Sequence, residues 1–423
     1  MNFMIIKRRT LIMLFLIILL ASSLRGIFFV KYLHNFDLQG DAKNYRLMSQ
    51  QLVDKGIFGY WYEGNKYGGT SGVSNARVTP GYPVFLSAVY AVFHDSYRQI
   101  TATRALQVII GGFFSPLLAF LFVRRLFKRD SVALLTAFFV AVYPTYIQST
   151  ISILTEVLGF AFMLLYFYLM TLGLQEKKFY FNLLAGGVFA IEILIRPTML
   201  PLIIVPFIFA WVSWARHERT ILFKIFLQTS IGFVVIMLPW WIRNYIVLHQ
   251  IILTADASGN PLLSGTYPYM KDVGKDVPEN IKGISSLQAR FAKDRIIEGF
   301  STQPFLYLKW YTIGKMQFMF QKPWLYNMAV GMQFFNSVIH NFFIWIGLIG
   351  VIINSVESKV NRYINIYGLL FLGLYLIFIP EARYTYQIMF FLMIAAAYLL
   401  CTVFNLIQKK CGINMPFNEK EKL

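Results

Sequence analysis

The chain has 423 residues, 57% of them hydrophobic and only 14% charged, with a mean hydropathy of +0.57. A soluble domain carries roughly 25% charged residues, so a chain this apolar cannot hide its surface in one water-soluble core, and lipid has to be part of its solvent. The 39 basic against 20 acidic residues, a net charge of +19, would suggest nucleic acid in a soluble protein; in a membrane chain it marks cytoplasmic loops, some of them against lipid phosphates, and no nucleic-acid partner is expected.

The chain opens on Lys7-Arg8-Arg9 and an apolar run. That start is like a secretory signal ending near Ala21-Ser22-Ser23, but the run resumes through Val30 and nine further runs follow, which predicts an uncleaved first span. Hydropathy predicts about ten transmembrane helices, at 10–30, 105–123, 131–147, 153–172, 181–195, 198–214, 221–241, 334–353, 366–379 and 386–407. The fifth, sixth and ninth are short for a full crossing. Charge bias tests the order. If odd spans exit outward, the inner segments hold Lys7-Arg8-Arg9, Arg124-Arg125 with Lys128-Arg129, Lys177-Lys178, Arg216 with Arg219, Lys359 with Arg362, and Lys409-Lys410. Every one is basic, so both termini are expected in the cytoplasm.

Two shorter helices are predicted in the first outer loop, 31–104. Residues 41–55 place Tyr45, Met48 and Leu52 on one face, with Gly56 as a stop. The apolar stretch 82–93 is too short to cross, and counting it as a span would invert every later basic loop. It reads as an interface helix capped by Thr79 and started by Pro80. A Gly- and Tyr-rich loop, 57–78, joins the two. The large outer loop, 242–333, begins as loop over 256–283, continues as a helix over 286–298 ending at Gly299, and closes with an aromatic interface stretch, 304–320, carrying Lys309 and Lys315. A cytoplasmic tail, 408–423, follows the last span. Cys401 lies in that span and Cys411 in the tail, so no disulfide framework is expected. No internal repeat or separate soluble domain is visible. The fold class is all-α, a single polytopic transmembrane domain over 1–423.

Polar candidates gather on the outer side. Asp41 follows the first span and serves either as an N-cap or as a cleft carboxylate; Asp37 is a weaker neighbour. Glu156, at the outer start of the fourth span, is expensive so close to hydrocarbon unless it faces protein or water, although the helix dipole favours an acid there. Arg77 precedes the turn Val-Thr-Pro-Gly-Tyr82-Pro. Arg196-Pro197 joins two short spans and needs an anion, a carbonyl cluster or its neighbour Glu192. Arg243 closes the seventh span, and Glu381-Ala-Arg383-Tyr384 fills the last outer turn, where an ion pair across the loop is the plainer reading. Arg25 interrupts the first span and is expected to snorkel. Arginine forks suit phosphate oxygens, and carboxylates suit deprotonating a nucleophile. Outside the cell there is no ATP or nucleotide sugar, so an activated group has to arrive on a lipid. No metal-ligand spacing, Walker loop, dinucleotide fingerprint or Gly-x-Ser-x-Gly elbow is present, and the five histidines are scattered.

These residues in this order resemble the GT-C glycosyltransferases, in the bacterial branch related to protein O-mannosyltransferases and lipid A aminoarabinose transferases. The carriers are Asp41-Ala-Lys-Asn-Tyr45, Arg77-Val-Thr-Pro-Gly-Tyr-Pro-Val-Phe85 and Thr155-Glu156, with a weaker echo at Glu381 to Tyr384. The resemblance implies an inverting transferase of the bacterial plasma membrane that uses a polyprenyl-phosphate sugar donor and a glycan, lipid or protein acceptor. It implies Asp41 as the acceptor-activating acid and Glu156 as a second acid. Arg77, Arg196, Arg383 and Arg243 would hold donor phosphate, and Tyr45, Tyr82, Glu381 and Tyr384 would line the cleft. No cofactor is expected, and a divalent metal is left open. Two departures leave the acceptor undefined: the better-known members have a sizeable outer domain after the last span, and Asp41 stands alone where they have an Asp-Glu pair. The competing readings are a flippase of lipid-linked sugars, which would favour mid-membrane ionisable groups and repeat symmetry, and a polysaccharide polymerase or ligase, which has no need of an acid directly after the first span.

The basic loops generate a topology test. In intact cells, single cysteines near Gly69 and Lys275 should react with an impermeant thiol reagent, while those at Lys128 and Lys177 stay protected. Labelling at Lys177 would break the ten-span order.

Overall fold

The computed structural model describes residues 6–34, 38–62, 68–325 and 331–411. Asp37 lies outside them, as does most of the 408–423 tail. The described chain is all-helical. In order, it runs α1 (Arg8–Lys31), α2 (Asp41–Lys55), α3 (Gly81–Val92), α4 (Ser96–Phe127), α5 (Asp130–Val142), α6 (Pro144–Ile151), α7 (Glu156–Glu176), α8 (Phe179–Ile195), α9 (Pro197–Ser213), α10 (Arg216–Leu248), α11 (Gly259–Ser264), α12 (Ser285–Thr302), α13 (residues 304–320, with a π turn at Trp310–Gly314), α14 (Gln333–Glu357), α15 (Lys359–Ile377) and α16 (Ala382–Lys410).

Among the described residues, seven helices are long and apolar enough to cross a membrane, and α5 with α6, bent by 58°, makes an eighth. The expected fifth and sixth spans are α8 and α9, which stay below that length. The ninth is not short: α15 runs the full 19 residues. The alternating order is visible in which helix ends meet. Thr10 donates to Asp130 Oδ2 at 2.8 Å, Arg124 pairs with Asp130 at 2.7 Å, Arg125 pairs with Glu176, and Lys177 pairs with Glu218 at 2.7 Å. The expected inner segments thus share one end of the bundle, the basic end. Helices α2 and α3 and the described residues 249–325 cover the other, the loop end.

Several local expectations change. Helix α2 has the predicted bounds and stops at Gly56, whose φ of 67° only glycine adopts without strain. Its N-cap is Gly40, and no side chain caps it, so Asp41 is not the cap. Nor does Thr79 cap α3; its hydroxyl donates to Ile195 O at 3.3 Å and ties α3 to the end of α8. Gly299 does not end its helix but lies inside α12, where the Tyr307 ring fills the space a Cβ would take, 2.0 Å from Tyr307 Cζ.

Arg25 does not snorkel. It is fully buried, and the reason is the break between α5 and α6. Pro144 has no N–H to give Val140, and the turn leaves Ala141 O unpaired as well. Arg25 supplies both bonds at 3.0 Å, and a third to Ala21 O at 3.1 Å. Gly111 makes the room: a Cβ there would sit 3.2 Å from Arg25 Nε and 2.9 Å from Thr150. In hydrocarbon, an unpaired carbonyl has no water to turn to.

Replacing Arg25 by Met should therefore lower stability by about 1–3 kcal/mol through the orphaned carbonyls, read as a drop in thermal midpoint in detergent. Arg25→Lys should recover part of it. An unchanged midpoint for Arg25→Met would show that other groups satisfy the break.

Candidate active site

At the loop end, two carboxylate–arginine pairs lie close together. The first joins the start of α2 to the start of α16. Asp41 Oδ2 accepts from Arg383 Nη1 at 2.7 Å, and Oδ1 accepts from the hydroxyls of Tyr60 and Tyr62, both at 3.1 Å. Asp41 and Arg383 are partly open, each side chain 26% exposed. Glu381 Oε2 lies 2.8 Å from Arg383 Nε, but the angle is too poor for a hydrogen bond, so this is a charge contact. The second terminal nitrogen of Arg383 makes no hydrogen bond among the described residues.

The second pair is closed. Arg196 Nη1 donates to Glu156 Oε1 at 2.6 Å and to Thr155 Oγ1 at 2.8 Å, and Nη2 reaches Tyr375 OH at 3.5 Å. Glu156 is 2% exposed, and its Oε2 has no partner. Gly159, one turn further along α7, lets Arg196 lie flat, since a Cβ there would sit 2.8 Å from Arg196 Cδ. Glu192 is not the partner of Arg196: it accepts from Gln387 at 3.2 Å. The break at Pro197, which ends α8, swings Arg196 away from its own helix and toward α7.

The pairs are linked. Arg383 sits 5.7 Å over the Tyr384 ring, Tyr384 stacks on Tyr375 with centroids 4.8 Å apart, and the Tyr375 hydroxyl meets Arg196. Tyr45 lies between, where the charges of Asp41, Arg383, Glu156 and Arg196 all act on its phenol. Tyr82 is edge-on to Tyr45 at 5.3 Å, with its hydroxyl on Gln107 at 2.9 Å, so it supports the site from behind.

The four arginines do not converge. Arg243 Nη1 donates to Asn75 O at 3.1 Å and Nη2 to Phe58 O at 2.8 Å, with the guanidinium over Phe58 and Trp240, so it ties Phe58 and Asn75 to α10. Arg77 lies beyond Tyr62, and among the described residues its guanidinium bonds Gly283 O at 3.4 Å. Arg196 is engaged by Glu156. Arg383 alone stands beside Asp41 with donors to offer. Tyr60, Tyr62 and Tyr375 escaped the sequence reading. The tyrosine density of the 57–78 loop was a signal for the first two; Tyr375, in an apolar span, gave none.

Burial by itself would raise the Asp41 pKa, but the Arg383 charge and the hydrogen bonds from Arg383, Tyr62 and Tyr60 outweigh it and hold the carboxyl below its ordinary 3.8. Burial, and then the Asp41 charge, push both phenols up, so they stay neutral donors. Asp41 is thus an ionised carboxylate with three of its roughly four acceptor positions filled. Both acids already face cations or hydroxyls, and among the described residues no three His, Cys, Asp or Glu side chains come together.

Comparison with known proteins agrees with this architecture. The model of the family Dolichyl-phosphate-mannose-protein mannosyltransferase matches residues 77–242, less than half the chain; that stretch holds Glu156 and Arg196 but neither Asp41 nor Arg383. Among solved structures, the chain is similar to the oligosaccharyltransferase AglB of Archaeoglobus fulgidus in complex with an inhibitory peptide and a dolichol-phosphate, with a TM-score of 0.61 and 15% identity over 99% of this chain and 53% of that one. The same enzyme tethered to an acceptor peptide gives a TM-score of 0.63 at 15% identity, over 99% of this chain and 52% of that one. The chain spans about half the length of these structures. No curated protein matches it by sequence. The protein has the GT-C glycosyltransferase fold, as the resemblance implied. It is a multi-pass membrane protein, and residues 77–242 match the mannosyltransferase family model.

The Asp41–Arg383 pair gives a pH prediction. A carboxyl with a depressed folded pKa adds stability above its unfolded value, and that stability is lost as pH falls through the folded value. Arg383→Gln removes the cation and keeps the burial, so the Asp41 pKa should rise. The acid limb of thermal stability against pH should move up accordingly. An unmoved limb would show that the pair does not hold the carboxylate.

Proposed function

We propose that the chain is an inverting glycosyltransferase that moves a sugar from a polyprenyl-phosphate carrier to an acceptor on the outer face of a bacterial plasma membrane, both termini being cytoplasmic. The observation that carries this reading is the Asp41–Arg383 pair: an ionised base and a phosphate-type cation side by side at the loop end of a GT-C bundle. The acceptor O–H attacks the anomeric carbon from the Asp41 side. As the new C–O bond forms, the bond to the carrier phosphate breaks. The proton passes to Asp41, and the leaving phosphate keeps the electron pair, its charge met by Arg383. Arg196 acts through Glu156, fixing the second acid and, through Tyr375 and Tyr384, the ring against which Arg383 lies.

A route for the carrier supports the reading. An apolar groove of about 660 Å³ runs between α13, α14, α15 and α16, lined by side chains such as Ile344, Leu348, Leu369, Leu372 and Phe391. Ile388 brings it within two turns of Arg383 along α16. Predominantly apolar walls suit isoprene units.

The test uses purified protein in nanodiscs with a radiolabelled polyprenyl-phosphate sugar. Asp41→Asn should fold normally, bind donor and lose roughly 10²–10⁴-fold in turnover. Arg383→Ala should raise the donor KM, with partial rescue by Lys. Wild-type turnover in well-folded Asp41→Asn protein would remove Asp41 from the chemistry.

A further inference from the structure

On the far side of Tyr62 lies a pocket of about 320 Å³ between the first loop and the 256–288 part of the second, and the chemistry above does not use it. Its walls carry Tyr62, Arg77, Asp256, Asn260, Ser264 and Gln288. Three observations point to a ligand. Gln288 is only 8% exposed overall, yet its amide makes no hydrogen bond among the described residues and opens into the pocket, so both its donor and its acceptor are free to meet a bound molecule. The Arg77 guanidinium has one hydrogen bond, at 3.4 Å, so most of its donors are unengaged among the described residues. Asp256 feels the charge of Arg77, yet no ion pair joins the two, which leaves a gap between a donor fork and an acceptor carboxylate.

The chemistry of that gap selects the ligand. An anion would meet Asp256, and a cation would meet Arg77 and the wall residue Lys282, whose own charge is paired with Glu279. A neutral polyol satisfies both, because each hydroxyl donates and accepts. The amides of Asn260 and Gln288 add one donor and one acceptor group each, and Tyr62, 39% exposed, offers a flat apolar face to the C–H face of a pyranose. The volume is at the small end of ligand pockets, typically about 300–1,000 Å³, which fits one or two sugar rings and not a long chain.

We propose that this pocket binds a neutral saccharide as the acceptor, and that Tyr62 is shared between it and the base. The proposal rests on the transferase reading. The Tyr62 hydroxyl sits on Asp41 Oδ1, at 3.1 Å, where an acceptor hydroxyl would have to deliver its proton. It holds that position until a sugar in the pocket supplies its own hydroxyl.

The test is saturation-transfer NMR on the full chain in nanodiscs, with methyl glucoside, methyl mannoside, methyl galactoside and methyl N-acetylglucosaminide and their disaccharides as probes. At least one should receive saturation from the wild-type protein. Gln288→Leu, which removes the amide, and Asn260→Trp, which fills the pocket from an exposed position, should each weaken it by roughly tenfold or more. Saturation of no pyranoside, equal saturation in both variants, or preference for glucuronate or inorganic phosphate would each overturn the assignment. Donor cleavage is measured on the same wild-type preparation. Cleavage without sugar binding overturns the pocket alone; sugar binding without cleavage overturns the transferase reading and leaves a saccharide site.

Discussion

A peptide carbonyl inside a membrane has no water to bond, and this constraint organises the bundle. A helix that breaks or ends there exposes carbonyls, and at four such places a cation meets them. Arg25 takes those of the α5–α6 break, Arg104 takes Ile151 O at 2.8 Å, and Lys315 takes Leu376, Phe378 and Ile377 at 2.7, 2.9 and 3.3 Å. Arg243 does the same for Phe58 and Asn75. These residues make irregular backbone affordable at the loop end, and irregular backbone is what brings α2, α7, α8 and α16 within reach of one another.

The functional geometry follows from that division of labour. Lys315 holds the end of α15, Ile379 N donates to Pro261 O at 2.9 Å, and the short turn that follows presents Arg383. The large loop therefore grips the segment that carries Arg383, and through Arg383 it also sets the state of Asp41. The same loop supplies Asn260 and Gln288 to the pocket beyond Tyr62. One segment thus contacts both sides of the site.

Arginines separate into two kinds once their partners are known. Arg25, Arg104 and Arg243 face carbonyls, while Arg196 and Arg383 face carboxylates. In sequence they look alike, each a cation near the end of an apolar run. The resemblance treated Arg77, Arg196, Arg243 and Arg383 as one phosphate-binding set because proximity to the same predicted face was all that could be seen. Asp41 shows the converse. Its place before a helix reads naturally as a cap, yet the carboxylate turns away from the backbone toward two tyrosines and an arginine from the other end of the chain.

The sequence alone determined the class and the places of the apolar helices, because hydropathy acts residue by residue along the chain. It also located α2 to the residue and marked Asp41, Glu156, Arg196 and Arg383 as polar groups out of place. Only the tertiary structure decided how those groups pair. Asp41 and Arg383 are 342 positions apart, and Glu156 and Arg196 are 40. An ion pair of that kind is chosen by which helix ends meet, through breaks at Pro144 and Pro197 and through close approaches at Gly111 and Gly159. No local pattern encodes those meetings.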